Sequence, residues 1–168
     1  MNPVIRQEGP LDAAAISAVT AAAFLDAPHT AHTEQFIVED LRKAGAMTIS
    51  LVAEQGGEVV GHVALSPVSI SDGSTGWYGL GPISVTPGLQ GKGIGSLLMQ
   101  AAIRRLRELG AAGCVLVGDP SYYSRFGFKP EPSLVLPGVP PEYFQALRFA
   151  PSLPHGGVTF HEAFSARA

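Results

Sequence analysis

Cysteine is nearly missing from this chain. Cys114 is the single one in 168 residues, so no internal disulfide can form and no zinc or iron–sulfur spacing exists. It sits in the apolar run Cys114-Val115-Leu116-Val117, which makes it a small buried hydrophobe rather than a nucleophile. Basic runs are missing too. Lys and Arg number 11 against 14 Asp and Glu, a net charge of −3, which argues against nucleic acid as the main partner and leaves only a local patch at Lys92, Arg104 and Arg105. No apolar run approaches the roughly 20 residues that cross a bilayer, so no membrane partner is expected and a cytoplasmic protein is. Ala13 to Leu25 imitates the core of a signal peptide, but Glu8 and Asp12 stand where a basic segment belongs. Ile16, Val19, Ala23 and Phe24 recur there at helical spacing, so the stretch reads as an amphipathic first helix.

What the chain has in quantity is apolar side chain and glycine. With 46% hydrophobic and 15% charged residues the composition is that of an ordinary globular protein, and the length suits one domain, 1–168. Its glycines gather at Gln90-Gly91-Lys92-Gly93-Ile94-Gly95, after the strand-like Ile83-Ser84-Val85 and at the start of a long helical stretch, Ser96 to Leu109. Glycines at that density let successive N–H groups turn toward one point, and the helix adds the positive end of its dipole, so a phosphate is the natural occupant. Two common nucleotide signatures fail. A Walker loop needs Ser or Thr after its lysine and a glycine five places before its Gly-Lys pair, where this chain has Gly93 and Thr86. A dinucleotide fingerprint counted from Gly91 ends on Ser96, and counted from Gly93 on Leu98.

The order of elements is that of a mixed fold. A strand at Val4 to Gln7 precedes the first helix, and a second helix from Glu34 to Lys43 is closed by Gly45. Thr48 to Ala53 and Val59 to Ser66 form a hairpin around Gln55-Gly56-Gly57-Glu58, and a third strand, Trp77 to Val85, follows the reversal at Ser71-Asp72-Gly73-Ser74. Pro82 cannot donate to a ladder, so this strand carries a bulge or an interruption there, which Gly81 eases. The long helix turns Ile94, Leu98, Ala101, Ala102, Leu106 and Leu109 to one side, and Gly110 ends it. Farther on, Glu131 to Pro141 reads as a loop, Pro141 to Leu147 as a short helix, and Val158 to Phe164 as a last strand that completes the sheet or pairs with a second subunit, which leaves a homodimer open.

Gln90, Gly93 and Gly95 fit a Gln/Arg-x-x-Gly-x-Gly/Ala pattern. One helix and one strand later, Tyr123-Ser124-Arg125-Phe126-Gly127-Phe128 fits Tyr-x-x-x-Gly-Phe. In these two ordered motifs the chain resembles the GNAT superfamily of N-acetyltransferases, and its lead-in Gly118-Asp119-Pro120-Ser121-Tyr122-Tyr123 resembles the bacterial YhbS-like branch. The likeness covers roughly residues 3 to 130, within a domain core of 1–130 that 131–168 follows as a C-terminal extension completing the sheet. It implies an α/β (α+β) fold: a mixed, mostly antiparallel twisted sheet, flanked by helices. In it a central bulged strand, here Gly81 to Val85, splays from the next, parallel strand, Cys114 to Val117. It implies acetyl-CoA as cofactor and CoA as product, with a pantetheine arm along Ile83, Ser84 and Val85 and a pyrophosphate on Gln90, Gly91, Lys92, Gly93, Ile94, Gly95 and Ser96. Many relatives place Asn near the turn where this chain has Asp119 and Ser121, so Asp119 is read as a helix cap rather than a cofactor contact.

The reaction so implied is direct attack of a primary amine, on a small molecule or a protein, upon a thioester. The N–H of Val85 would meet the developing oxyanion. Tyr123 matches the family's general-acid position, with packing beside Phe126 and Phe128 as its alternative role. No carboxylate lies between Trp77 and Val85, where some relatives carry Glu, so the base is left among His29, His32, Glu34, His62, Asp119 and a water chain. That gap keeps a second function in view, a catalytically inactive acyl-CoA-binding or sensing module. The aromatics Tyr143, Phe144, Phe149 and Phe160 read as core.

Overall fold

Alternating burial along the strands builds a sheet with two covered faces. The computed structural model describes residues 2–25, 27, 30 and 32–165. In chain order the elements are β1 (Val4–Gln7), α1 (Ala13–Phe24), α2 (Glu34–Lys43), β2 (Ile49–Gln55), β3 (Glu58–Pro67), β4 (Ser69–Ile70), β5 (Trp77–Val85) and α3 (Ile94–Leu109). They continue with β6 (Gly113–Val117), the single turn α4 (Pro120–Tyr123), β7 (Lys129–Pro130), β8 (Leu134–Val135), β9 (Phe144–Arg148) and β10 (Gly156–Thr159). The main sheet runs β1-β2-β3-β5-β6-β9-β7, and β4-β10-β8 form a small second one. Every neighbour in the main sheet is antiparallel except β5 and β6, which α3 connects as a crossover.

One face belongs to α3, whose Ile94, Leu98, Met99, Ala102 and Leu106 pack on Leu51, Val63, Leu65, Cys114 and Leu116. Each Leu, Ile, Val or Met among them, taken fully out of water, contributes about 2 kcal/mol before chain entropy is set against it. Leu109, expected on this stripe, is half exposed at the helix end, and Met99 takes part in its stead. Burial also pushes the Cys114 thiol far up, so it stays a protonated, inert core group. The other face carries α1 and α2, with Ile16 and Val38 on Val52. Arg42 of α2 grips Glu8 through Nε at 3.0 Å and Nη2 at 2.9 Å, which ties the helix to the end of β1. No described helix is long and apolar enough to cross a membrane.

The bulge expected at Pro82 is present, and it changes the parity of β5. Val63 pairs with Ile83 but Leu65 pairs with Leu80, so β5 has one residue more than β3 over this step. Before the bulge Tyr78 and Leu80 face the α3 core; after it Ile83 and Val85 do. Ser84 therefore points to the opposite face, where its hydroxyl lies 3.4 Å from Thr20 Oγ1 of α1.

The C-terminal part departs from expectation. Pro141 to Leu147 is not a helix: after a 3-10 turn at Pro141–Tyr143 the chain becomes β9 and pairs antiparallel with β6 from Val117↔Phe144 to Gly113↔Arg148. A free strand edge supplies five ladder partners, which a helix too short to nucleate cannot match. The last strand is β10, shorter than Val158 to Phe164 and in the small sheet, and a 3-10 turn at Glu162–Ser165 follows it. The main sheet is thus completed by β9 and β7.

Candidate active site

The site is built where two parallel strands part. β5 and β6 pair only at Trp77↔Gly113, Tyr78↔Cys114 and Gly79↔Val115. Beyond Gly79 the bulge turns β5 away, and the two strands open toward their C-terminal ends. Thr86 N–H donates to Val60 C=O at 2.8 Å across β3, and N–H groups along a strand alternate edges. Ile83 and Val85 therefore aim their N–H groups at the opening rather than at β3. The Val85 carbonyl on the same edge accepts a 3.0 Å hydrogen bond from Gln90 Nε2, so Gln90 acts on the strand rather than as a free side chain.

Next to this edge the chain makes its glycine turn. Gly91 has φ 77° and Gly93 φ 87°, left-handed values that suit residues without a Cβ, and nothing stands within 4 Å of either missing Cβ. Gly93 caps α3, and the first bond of the helix runs from Leu97 N–H to Gly93 C=O at 3.1 Å. The N–H groups of Ile94, Gly95 and Ser96 precede that bond, so they lack helical partners, and no side chain among the described residues caps them. They border a hollow of ≈ 320 Å³ lined by Val85, Gln90, Gly91, Gly93, Gly95 and Ser96, with Tyr122 and Arg125 opposite. Ile94 offers only its backbone here, because its side chain is in the core. Lys92 is exposed and its side chain is not part of this lining.

Tyr122 and Arg125 were not anticipated. The hydroxyl of Tyr122 lies 3.4 Å from Ser96 Oγ, and Arg125 stacks its guanidinium 4.5 Å from the centre of the Tyr122 ring while Nε donates to the Tyr122 carbonyl at 2.9 Å. Their i, i+3 spacing on a turn that Pro120 starts is the signal that could have placed both on one side.

Tyr123 stands at the end of β6. Its ring meets Tyr122 edge-on at 4.9 Å and Phe128 at 6.4 Å, and its hydroxyl has no hydrogen-bond partner among the described residues. Burial, aided by Tyr122 and Asp119, pushes its pKa up to about 12, so the phenol keeps its proton across all ordinary pH.

The five side chains considered as bases separate clearly. Asp119 accepts from Ser121 N–H at 2.9 Å and Ser121 Oγ at 2.8 Å, as a cap of α4. His62 is fully buried beneath α1 and α2. His32 has φ 58° and spends its N–H on Thr30 Oγ1 at 3.0 Å. His29 lies outside the described residues. Glu34 alone lines a hollow that also touches the parting strands, at Leu80, Gly81, Pro82 and Val117. No group of His, Cys, Asp and Glu among the described residues could hold a metal ion.

The profile of the Acetyltransferase (GNAT) family matches residues 16–128. The uncharacterised N-acetyltransferase YhbS of Escherichia coli (strain K12) is 38% identical over 127 residues, 75% of this chain and 73% of that protein. Two solved structures are similar throughout. A GNAT family acetyltransferase from Brucella melitensis, in complex with acetyl-CoA, is 49% identical, with 97% of this chain and 98% of that one covered and a TM-score of 0.87. YhbS from Escherichia coli, in complex with CoA, is 34% identical over 100% of this chain and 94% of that one, with a TM-score of 0.90.

Proposed function

The chain belongs to the GNAT family of acetyltransferases, and from that premise we propose that it carries the acetyl group of acetyl-CoA to a primary amine by direct attack. What supports this most is one continuous edge: the N–H groups of Ile83 and Val85 face the β5–β6 opening, and the unpartnered N–H groups of Ile94, Gly95 and Ser96 follow beside them. The donor set fits the cofactor. Backbone N–H groups in an open glycine turn suit a pyrophosphate, with Gln90, Gly91, Lys92 and Gly93 shaping the cradle and Arg125 adding a cation. An extended arm carrying amides can pair with Ile83 and Val85 as an added strand would, while Ser84 turns to the other face.

Acetyl-CoA, when bound, supplies a thioester. Val85 N–H, fixed by the strand, stabilises negative charge on the carbonyl oxygen. Tyr123 donates from its protonated hydroxyl to the departing sulfur. A phenol held at about 12 is a much weaker acid than a thiol at roughly 8.5, so its contribution is a hydrogen bond to the thiolate more than a completed proton transfer. We take residues 1–168 as one acyltransferase-like domain, and a cytoplasmic location belongs to the same proposal. Calorimetric titration with acetyl-CoA, CoA and ATP tests it, together with thiol release in the presence of amines. Tighter binding of ATP would overturn it, and acetyl-CoA binding without release from any amine would favour the inactive binding module.

A further inference from the structure

We propose that the acceptor is a small monoamine with an apolar body, seated on the α1/α2 face of the sheet with its ammonium group at Glu34. The assignment rests on the acetyl-transfer function above. A hollow of ≈ 580 Å³ lies on that face, within the range of small-molecule sites. It reaches both lips of the strand opening: Leu80, Gly81 and Pro82 on β5, and Val117 on β6. Val117 is 49% exposed there, because Cys114 and Leu116 take the α3 side and alternation sends it to the other. An acceptor in this hollow meets the thioester from the face opposite to α3.

The walls determine the chemistry. Phe24, Ile37, Leu136, Val139, Phe160 and Phe164 are apolar, and Glu34 is the one charged side chain in the lining among the described residues. Phe160 is set firmly: it meets Phe164 edge-on at 5.1 Å and lies against the backbone of Gly79, where a Cβ would come within 2.6 Å of its ring. Both oxygens of Glu34 are 2.7 Å from the Thr30 hydroxyl, which has one proton to give, and no cation pairs with the carboxylate among the described residues. With one anion in an otherwise apolar lining among the described residues, the hollow selects one ammonium. A second positive charge on the ligand would be stripped of water against phenyl and alkyl walls without a partner, which disfavours polyamines.

The transfer balances on this chain alone. The amine nitrogen forms a bond to the acyl carbon as the carbon–sulfur bond breaks. Of the two protons that leave the ammonium nitrogen, one ends on sulfur and one in bulk water.

Thiol release from acetyl-CoA, with 2-phenylethylamine and hexylamine set against putrescine, spermidine and a lysine-containing tetrapeptide, tests the assignment. The apolar monoamines are expected to show kcat/KM about tenfold or more above the others. Glu34→Gln should raise the amine KM about tenfold with the acetyl-CoA KM little changed, and Glu34→Asp, which keeps the charge, should recover most of the loss. Calorimetric binding of 2-phenylethylammonium to the CoA-loaded protein should disappear in Glu34→Gln. Preference for a polyamine or the peptide, or an amine KM indifferent to Glu34→Gln, overturns the acceptor class. If acetyl-CoA binds but no apolar amine reacts, the acceptor class falls and the cofactor assignment stands; if acetyl-CoA does not bind, both fall.

Discussion

The ring of Tyr123 lies on the backbone of Gly118, so close that a Cβ at residue 118 would run into ring carbon Cε2. Gly118 directly follows β6, with its N–H bonded to Tyr143 C=O at 2.9 Å and its carbonyl accepting from Gln145 Nε2 at 3.0 Å. The backbone cannot retreat from a new methyl group without breaking these bonds, so the ring must.

Gly118→Ala should therefore imitate Tyr123→Phe. Both are expected to lower kcat about a hundredfold, as loss of one transition-state hydrogen-bond donor does, with the KM for acetyl-CoA nearly unchanged. Steady-state kinetics on the two variants checks it. Wild-type turnover in Tyr123→Phe would remove the phenol from the mechanism, and wild-type turnover in Gly118→Ala alone would show that its position tolerates displacement.

Gly93→Ala tests the cradle through backbone strain alone. There is space for the methyl group, but φ 87° costs an L-residue about 1–2 kcal/mol. For a chain of this size that lowers Tm by roughly 2–8 °C, read by scanning calorimetry. If relief of strain re-aims the N–H groups ahead of Leu97, acetyl-CoA affinity falls as well, and titration of the same variant measures it. A variant with unaltered affinity and an unaltered Tm would show that the positive φ is not needed.

Arg125→Gln keeps a polar side chain at the same place and deletes the cation beside the cradle. The dissociation constant for acetyl-CoA should rise about three- to tenfold at low salt, and the gap to wild type should narrow as ionic strength screens the lost charge. At saturating acetyl-CoA kcat should stay near wild type, since Arg125 touches the cradle and not the end of β6. Equal salt dependence in the two proteins would assign Arg125 only to its stack on Tyr122.

What was legible in the sequence is what single residues or short spacings dictate. Pro82 lacks an N–H wherever it stands, so a defect in β5 could be read directly, and the left-handed turns at Gly91 and Gly93 follow from glycine itself. Gly110 ends α3 for the same reason, with φ 78°. Pro141 to Leu147 reads as a helix because so short a stretch carries no decisive period; only the unpaired edge of β6, more than twenty-five residues earlier, selects strand for Phe144–Arg148. Glu34 could be named as a candidate but not placed. Its hollow needs α1, α2, the bulged β5, β6 and the C-terminal aromatics at once, and no local pattern encodes that meeting.

His62 supplies a pH dependence separate from catalysis. Its Nε2 lies 2.8 Å from Ser50 Oγ, which in turn donates its only proton to Glu8 Oε1 at 2.6 Å, so the imidazole must be the donor at Nε2 and is neutral with Nδ1 bare. Burial depresses its pKa from 6.5 to about 4; Glu8 pulls the other way, and Arg42 adds to the fall. The unfolded chain thus takes up a proton below pH 6.5 that the native chain refuses until about pH 4. Stability is full above the unfolded value, declines as pH falls through the interval and levels off below it, with a slope of at most about 1.4 kcal/mol per pH unit. Four carboxylates, Glu8, Asp12, Asp72 and Asp119, have lowered pKa values and act lower on the scale, Asp72 and Asp119 only below 3.8. Asp12, held at about 2 by Arg6 and the Gly9 N–H, begins to cost stability only below 3.8, and Glu8 only below 4.5. Urea midpoints between pH 4.5 and 6.5 should therefore slope in the wild type and flatten in His62→Gln. The same slope in both proteins would mean that His62 titrates alike in the native and unfolded chain, against its burial.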